Sequence, residues 1–380
     1  MKYCTKCVLP DTRPGVVLDD EGVCSACRHA EHRSKVDWKQ REKMFAKLCN
    51  DYRRKTEGEY DCVIAVSSGK DSYYQVAKLL DYGMNPLLVS VDNLDWSKTG
   101  LQNRDNLLNI FDCDCIVHRS SIELNRKISR LIFEKDGFIA WLFDRLIYTF
   151  PLHIATKFNI PFVIYGENTS LEYGGPLKEE TPDASQQINN DVVRDYGWET
   201  FTKAGISMDE LVMAQMPSIE DIKRVKLDPR YLSYYFNWSG YEHMKVAKQC
   251  GWKSLNDTDE WSREGYIEDY DQIDDIAYLV DPWMKYPKYG HARATDVSCY
   301  WIRDGLSTRE EAIKQVKEHD HKLDPLALEH YLKFSGYTYE EFWKIVETFI
   351  NKDIFKQIKK GIPETSLDFN KHWELKNPIW

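Results

Sequence analysis

The sequence predicts an α/β chain: a doubly wound parallel sheet, preceded by a cysteine-rich segment and followed by a mostly helical C-terminal region. Three observations predict it. Between Tyr60 and Tyr165, short β-branched runs alternate with stretches of helical periodicity, the pattern of right-handed crossovers in a parallel sheet. Two Cys-x-x-Cys pairs stand before that alternation. After about residue 175 the β-branched runs cease, and the tail over 308–350 keeps a helical period, with a turn at Ser335-Gly336. The implied divisions are 1–56, 57–175 and 176–380, which suits 380 residues, too long for one compact domain.

The elements follow in order. Residues 1–56 hold thirteen Lys/Arg and eight Asp/Glu, a local +5 within a chain of net charge −10, and so read as a separate unit. Its second half, 35–55, has Trp38, Met44, Phe45 and Leu48 at near-helical spacing. The first strand is 62–66, ending in the loop Ser67-Ser68-Gly69-Lys70-Asp71-Ser72. A helix over 73–82 stops at Gly83, a residue that accepts the left-handed conformation past a helix end. Further strands are expected at 86–92, 115–118 and 161–165, with helices over 100–111, 122–135 and 143–158. Pro151 is expected to kink or divide the last of these. The stretch 178–192 is polar and expected to be a mobile loop, 207–215 and 242–249 are helical, and 231–241 is rich in Tyr, Phe and Trp. The run 257–275 sets nine acidic residues against Arg263 and reads as a solvated face.

Composition excludes several classes. Lys+Arg 51 against Asp+Glu 61 opposes a protein whose main work is gripping nucleic acid. The longest apolar stretch, 137–150, is broken by Asp144 and Arg145 and is too short to span a bilayer. The first residues have no apolar core of a signal peptide, so a cytoplasmic protein without membrane attachment is expected.

Cys4-x-x-Cys7 and Cys24-x-x-Cys27 are separated by sixteen residues. Two such knuckles let four thiolates meet tetrahedrally around Zn²⁺, leaving no open position, so the metal would be structural. An iron–sulfur cluster and a redox pair are the alternatives. The other six cysteines have no partner spacing and read as small buried hydrophobes.

The 67–72 loop lies between a buried strand and a helix, where backbone N–H groups and the helix dipole cradle anions. It is not a Walker A loop, because Ile64 and Asp71 stand where that motif needs Gly and Ser/Thr. A plain polar turn is the bland alternative. The loop resembles the PP-loop, S-G-G-x-D-S, of the Rossmann-like ATP pyrophosphatases, with Ser68 in place of Gly. That resemblance implies ATP as cosubstrate, Mg²⁺ with it, and cleavage between the α and β phosphates. Lys70, Asp71 and Ser72 are then the catalytic candidates, and Ser67, Ser68 and Gly69 complete the ATP-binding loop. The end of the second strand should lie over the adenine, with Asp92 near the ribose or metal. The fourth strand opens into Gly166-Glu167-Asn168, with Glu172-Tyr173-Gly174-Gly175 beyond; Gly166 and Glu167 are assigned to ATP, Glu172 and Tyr173 to substrate.

Together the Cys4–Pro14 segment, the Gly22–Cys27 knuckle, the PP-loop, Tyr165-Gly166-Glu167-Asn168, Gly290-His291-Ala292-Arg293-Ala294-Thr295-Asp296 and Thr308-Arg309-Glu310-Glu311 resemble one family nearly end to end. That family is the N-acetyl sugar amidotransferases of bacterial surface-glycan and flagellin-glycan biosynthesis. The resemblance implies that a sugar acetamido group becomes acetamidino: ATP adenylates the amide oxygen, pyrophosphate leaves, and ammonia displaces AMP. An acidic acetamido sugar is implied, either of the pseudaminic type or nucleotide-linked. Lys285, Lys288 and Arg293 cluster in an acidic half of the chain, with Lys285 and Arg293 assigned to substrate; scattered surface cations are the alternative. His291 is a candidate base for ammonia, against a structural role. No segment looks like a glutaminase, so a separate glutaminase is implied, with an ammonia-channelling barrel protein similar to the histidine-pathway pair. A tRNA-thiolating PP-loop enzyme and a non-enzymatic zinc-ribbon adaptor are the rival functions.

Overall fold

In the computed structural model the described residues are 1–53, 59–93, 95–173, 180–187 and 194–380. Both expected divisions, at 56/57 and 175/176, fall outside them, as do Gly174, Gly175 and most of the ends of the 178–192 stretch.

The N-terminal part holds α1 (Ser25–Arg33) and α2 (Trp38–Tyr52). Then come β1 (Cys62–Val66), α3 (Lys70–Asp81), β2 (Pro86–Val91), α4 (Lys98–Phe111), β3 (Cys115–His118), α5 (Ile122–Asp136), α6 (Trp141–Lys157) and β4 (Phe162–Tyr165). After α7 (Thr169–Glu172), α8 (Trp198–Lys203) and α9 (Ile219–Val225) a fifth strand appears, β5 (Asp228–Tyr231). Next are α10 (Gly240–Gln249), α11 (Leu255–Thr258), α12 (Val280–Tyr289), α13 (Arg293–Arg303), α14 (Arg309–His319), α15 (Pro325–Ser335) and α16 (Tyr339–Phe349). A short antiparallel pair, β6 (Phe355–Gln357) and β7 (Trp373–Leu375), ends the chain.

The five strands form one parallel sheet in the order β3-β2-β1-β4-β5. Side chains alternate between two cores, as the period of two requires. Val63, Leu87, Val89, Val163 and Tyr165 face a core with Ile132, Trp141 and Leu146 of α5 and α6. Cys62, Ile64, Leu88, Phe162 and Ile164 face the opposite core, with Phe45 of α2 and Tyr73 and Val76 of α3. The doubly wound expectation is met, and the strand order reverses between β1 and β4, where such sheets bind ligands.

Several expectations are corrected. Pro151 sits inside one continuous helix, α6, because its ring and neighbours are buried against β1, β2 and β4. β5 was not expected, since Asp228-Pro229-Arg230-Tyr231 contains no β-branched residue. As an edge strand bonded only to β4 it tolerates a proline that lacks an N–H. The 257–275 run is not a solvated face. Glu260 caps α4 by accepting the Lys98 and Thr99 N–H groups at 2.8 and 2.6 Å. Glu268 is buried against Arg263, and Asp271, Asp274 and Asp275 turn inward. The N-terminal segment is also not free-standing: Val8, Leu9 and the four knuckle cysteines share a core with Cys299, Ala312 and Val316 of α13 and α14. No described helix is long and apolar enough to cross a membrane.

Candidate active site

The 67–72 loop closes β1 and opens α3, which starts at Lys70, three residues earlier than expected. It is braced internally. The Ser67 N–H donates to Ser72 Oγ at 2.7 Å, and the Gly69 N–H donates to Ser67 Oγ at 3.0 Å. Gly69 has φ −73, and Ser68 is not among the described non-glycine residues with positive φ. A serine at 68 therefore costs the backbone nothing. Its hydroxyl donates to Asp274 Oδ2 at 3.2 Å and its carbonyl accepts from Trp252 Nε1 at 3.1 Å.

Lys70 is buried, 3% exposed, and pairs with Asp71 at 2.9 Å and with Asp271. Burial opposes its charge, but the two carboxylates outweigh burial and hold the ammonium above its ordinary range. Asp271 also receives Arg293 Nη2 at 2.7 Å. On the other side, His243 Nδ1 lies 2.6 Å from Asp71 Oδ1. Burial keeps this imidazole neutral while Lys70 and His243 keep Asp71 ionised, so the shared proton belongs to Nδ1. Opposite the loop, Gly166 leaves room for Trp238: a Cβ there would stand 2.9 Å from its ring.

Three cavities meet here, all lined by Glu167, Tyr173 and Arg293. One, of 310 Å³, runs along the strand ends from Ser67, Gly69 and Ser72 to Val89, Val91 and Asn93. A second, also 310 Å³, carries five Lys/Arg: Arg13, Arg194, Lys285, Lys288 and Arg293. Its five carboxylates include Asp281 and Glu167, pushed up to about 7 mainly by burial, and Asp144, pushed well up by burial and Asp281. Burial thus favours the neutral form of three of these five carboxylates. The third, of 470 Å³, opens between α1, the start of α10 and the end of α13.

The sequence-derived candidates distribute as follows. Ser67, Gly69, Lys70, Asp71, Ser72, Gly166 and Glu167 line the strand-end lobe, and Ser68 lies beneath it. Asp92 does not join them. It accepts Trp96 Nε1 at 2.8 Å and faces Arg119 and Arg104, while its neighbour Asn93 takes the expected place. Glu172 pairs with Arg33 in the open lobe, and Tyr173 stands at the junction. Lys285 and Lys288 are not scattered surface cations: they pair with Asp296 and Asp136. His291 is buried with both ring nitrogens unpartnered, and burial pushes its pKa down to about 3. It is a neutral group and too weak a base for ammonium. Arg13, His243 and Asp271 were missed as site residues. Asp271 lay hidden in an acidic run, although Arg13 stood in a quoted motif, and it reaches Asp296 at 3.3 Å.

The four knuckle cysteines are buried, with Sγ atoms within 4.8 Å of one another. Two Sγ–Sγ separations are 3.7 and 3.9 Å. A tetrahedron with metal–sulfur bonds of about 2.3 Å has edges of about 3.8 Å, so the set fits one ion. The N–H groups of Cys24 and Leu9 donate to Cys4 and Cys7 Sγ at 3.2 and 3.5 Å. Among the described residues this is the one group of three or more ligating side chains able to hold a metal.

Residues 264–366 match the family model of the LPS biosynthesis protein WbpG-like, C-terminal domain. The matched segment contains Asp271 and Arg293, and also the Gly290–Asp296 and Thr308–Glu311 motifs. The N-terminal motifs and the 67–72 loop lie outside it. Within the segment, Gly290 (φ 78) turns the chain so that Arg293 opens α13, and Thr308 with Glu311 caps α14. No curated protein matches the chain. Among solved structures, NMN synthetase from Francisella tularensis is 12% identical at TM-score 0.28, covering 60% of this chain and 92% of its own. The U34-tRNA thiolase NcsA from Methanococcus maripaludis, with its 4Fe-4S cluster, is 12% identical at TM-score 0.30, covering 89% and 98%. Likeness at that level is no guide to what this chain does.

The protonation of Glu167 gives a testable consequence. Its carboxyl is raised from 4.5 to about 7, first by burial and then by Asp71. Between those values the folded chain holds a proton that the unfolded chain has lost, so Glu167 lowers stability as pH rises. Glu167→Gln is expected to gain stability relative to the parent at pH 8 compared with pH 5. Equal differences in melting temperature at both pH values would contradict it.

Proposed function

We propose that this chain is an ATP-dependent amidotransferase that converts a sugar N-acetyl group into an acetamidino group in bacterial surface-glycan assembly, for an O-antigen or a flagellin glycan. One observation carries this. The segment matching an LPS biosynthesis domain supplies Asp271 directly to Lys70 of the ATP loop, with Arg293 paired to that same carboxylate. The sugar-specific part and the nucleotide part thus form one site.

The chemistry follows from the lobes. ATP lies along the strand ends, its phosphates over the first turn of α3, whose N–H groups lack intrahelical partners. Lys70 offsets charge on the departing pyrophosphate. Mg²⁺ bound to ATP would supply further charge neutralisation, with Asp71 and Asp271 as the carboxylates nearest Lys70. The acidic sugar occupies the cation-rich lobe, with Arg293 and Lys285 toward its carboxylate or diphosphate. The amide oxygen bonds the α-phosphorus and pyrophosphate leaves, while the amide N–H proton is shed. Ammonia then bonds the imidoyl carbon, the C–O bond to AMP breaks with its electron pair on oxygen, and the three ammonia hydrogens remain with the amidinium product. The knuckle metal is zinc and plays no part in these steps.

Incubating the protein with acidic acetamido sugars, ATP and ammonium, and seeking AMP, pyrophosphate and a mass loss of about one unit for O replaced by NH, tests this. Release of ADP and phosphate would show that the wrong bond had been assigned. Ammonia comes from a separate glutaminase through a barrel-shaped channelling partner. Cys299 is buried beside the metal knuckles, and Cys250 follows α10 in no nucleophile-elbow setting. The isolated chain is expected to work with high ammonium at alkaline pH and to be nearly inert with glutamine. Glutamine-driven turnover by the purified chain alone would refute the need for a partner.

A further inference from the structure

The reaction proposed above joins three reactants at one carbon, and the site has three lobes that meet at Glu167, Tyr173 and Arg293. The proposed function assigns two of them, to ATP and to an acidic sugar. We propose that the third lobe, the 470 Å³ opening between α1, α10 and the end of α13, is the inlet for the nitrogen nucleophile, taking ammonium at its mouth and delivering ammonia to the junction. This assignment rests on the amidotransferase reading.

The lining favours a small cation over an anion. The lobe presents six carboxylates against four Lys/Arg. Three of those four are committed, Arg33 to Glu172, Lys70 to Asp71 and Asp271, and Arg293 to Asp271; these pairs also commit three of the carboxylates, which leaves Glu167, Glu242 and Asp304 against Arg303. The same wall carries seven Tyr or Trp rings; five of them already hold a Lys or Arg of the chain over one face, the kind of contact that also attracts an ammonium-type cation. The mouth is framed by exposed Glu242, which pairs with Lys245 at 2.7 Å, by Asp304 and by Leu306.

At the inner end stands Glu167. Its carboxylate accepts one proton from ammonium, leaving ammonia and a carboxylic acid, and returns that proton to solvent after turnover. The rise of Glu167 to about 7 suits a group that must both take and release a proton near neutrality. His291 cannot serve, being buried in the sugar lobe away from this opening.

The test separates the inlet from adenylation. With the full-length protein and an accepted acetamido sugar, ATP–pyrophosphate exchange without ammonium reports adenylation, and amidine formation against ammonium concentration reports the inlet. Glu242→Lys is expected to lower kcat/KM for ammonium by about tenfold at low ionic strength, with the difference shrinking as salt rises. Leu306→Trp, which narrows the mouth, should lower it independently of salt. Both should leave exchange within about twofold, since neither residue reaches the other two lobes. Unchanged ammonium dependence in both variants would overturn the inlet while leaving the function standing. Tighter inhibition by pyrophosphate in Glu242→Lys, or exchange falling in step with amidine formation, would mark the lobe as an anion site instead. Absence of sugar-dependent exchange in the parent protein would overturn the function, and the inlet with it.

Discussion

Lys70→Ala is expected to cut sugar-dependent pyrophosphate release by about 10²–10³-fold, the usual cost of losing one preorganised charge partner. From the sequence alone the loop is a surface feature whose substitution leaves the fold intact. The structure says otherwise. Lys70 is 3% exposed and stands between Asp71 and Asp271. Breaking a buried pair typically costs about 3–5 kcal/mol. The loss here falls at the low end, because His243 still holds Asp71 and Arg293 still holds Asp271. The double variant Lys70→Ala/Asp71→Asn removes the carboxylate whose one remaining partner is a neutral imidazole, keeps an oxygen to accept from His243 Nδ1, and should recover part of the melting temperature without recovering the rate. A single variant that keeps pyrophosphate release within about tenfold of the parent would remove Lys70 from the mechanism. A double variant that regains rate along with stability would show that the single substitution acted through folding.

Loss of the knuckle metal is expected to have the largest effect on stability. The purified chain should carry one zinc, and Cys24→Ser should lose it together with solubility and a well-defined melting transition. Structural zinc sites contribute an apparent 10–16 kcal/mol (roughly) in zinc-finger peptides at neutral pH. That compares with about 5–15 kcal/mol for the net stability of a whole domain. The damage should spread beyond the N-terminal segment. Arg309 donates to the carbonyls of Cys7 and Cys4 at 3.1 and 3.3 Å, and Cys299 of α13 lies in the same core. α13 begins at Arg293, so a loosened knuckle loosens the helix that presents Arg293 to the junction of the three cavities. Metal analysis finding iron or no metal in active protein would refute the zinc assignment.

How far the sequence reached can be seen element by element. Pro86–Val91 and Cys62–Val66 were located from composition, because a buried parallel strand must be apolar on both faces. Asp228–Tyr231 was not, because an edge strand carries no such obligation. α1 escaped notice for a related reason: Ser25–Arg33 is polar and short, and is fixed by the knuckle it follows more than by an apolar stripe. The aromatic segment 231–241 divides. Tyr231, Leu232, Tyr235 and Phe236 are core, whereas Trp238 and Tyr241 line the open lobe.

The sequence by itself determined what local spacing can encode. Two Cys-x-x-Cys turns specify a four-thiolate set, and a strand ending in Ser-Ser-Gly-Lys-Asp-Ser specifies an anion-binding start to a helix. Tertiary structure decided which charges stand against that loop. Asp271, His243 and Arg293 lie more than 170 positions from Lys70 and Asp71, and Arg13 lies 283 from its partner Asp296. No periodicity or spacing rule reaches across such distances. Their ionisation was equally out of reach, because burial and the sign of the nearest charge set it, and both exist only after folding. The acidic run shows this most clearly. Its nine carboxylates look alike in the sequence, yet in the fold Glu260 caps a helix, Glu268 neutralises Arg263, and Asp271 ties the 67–72 loop to Arg293.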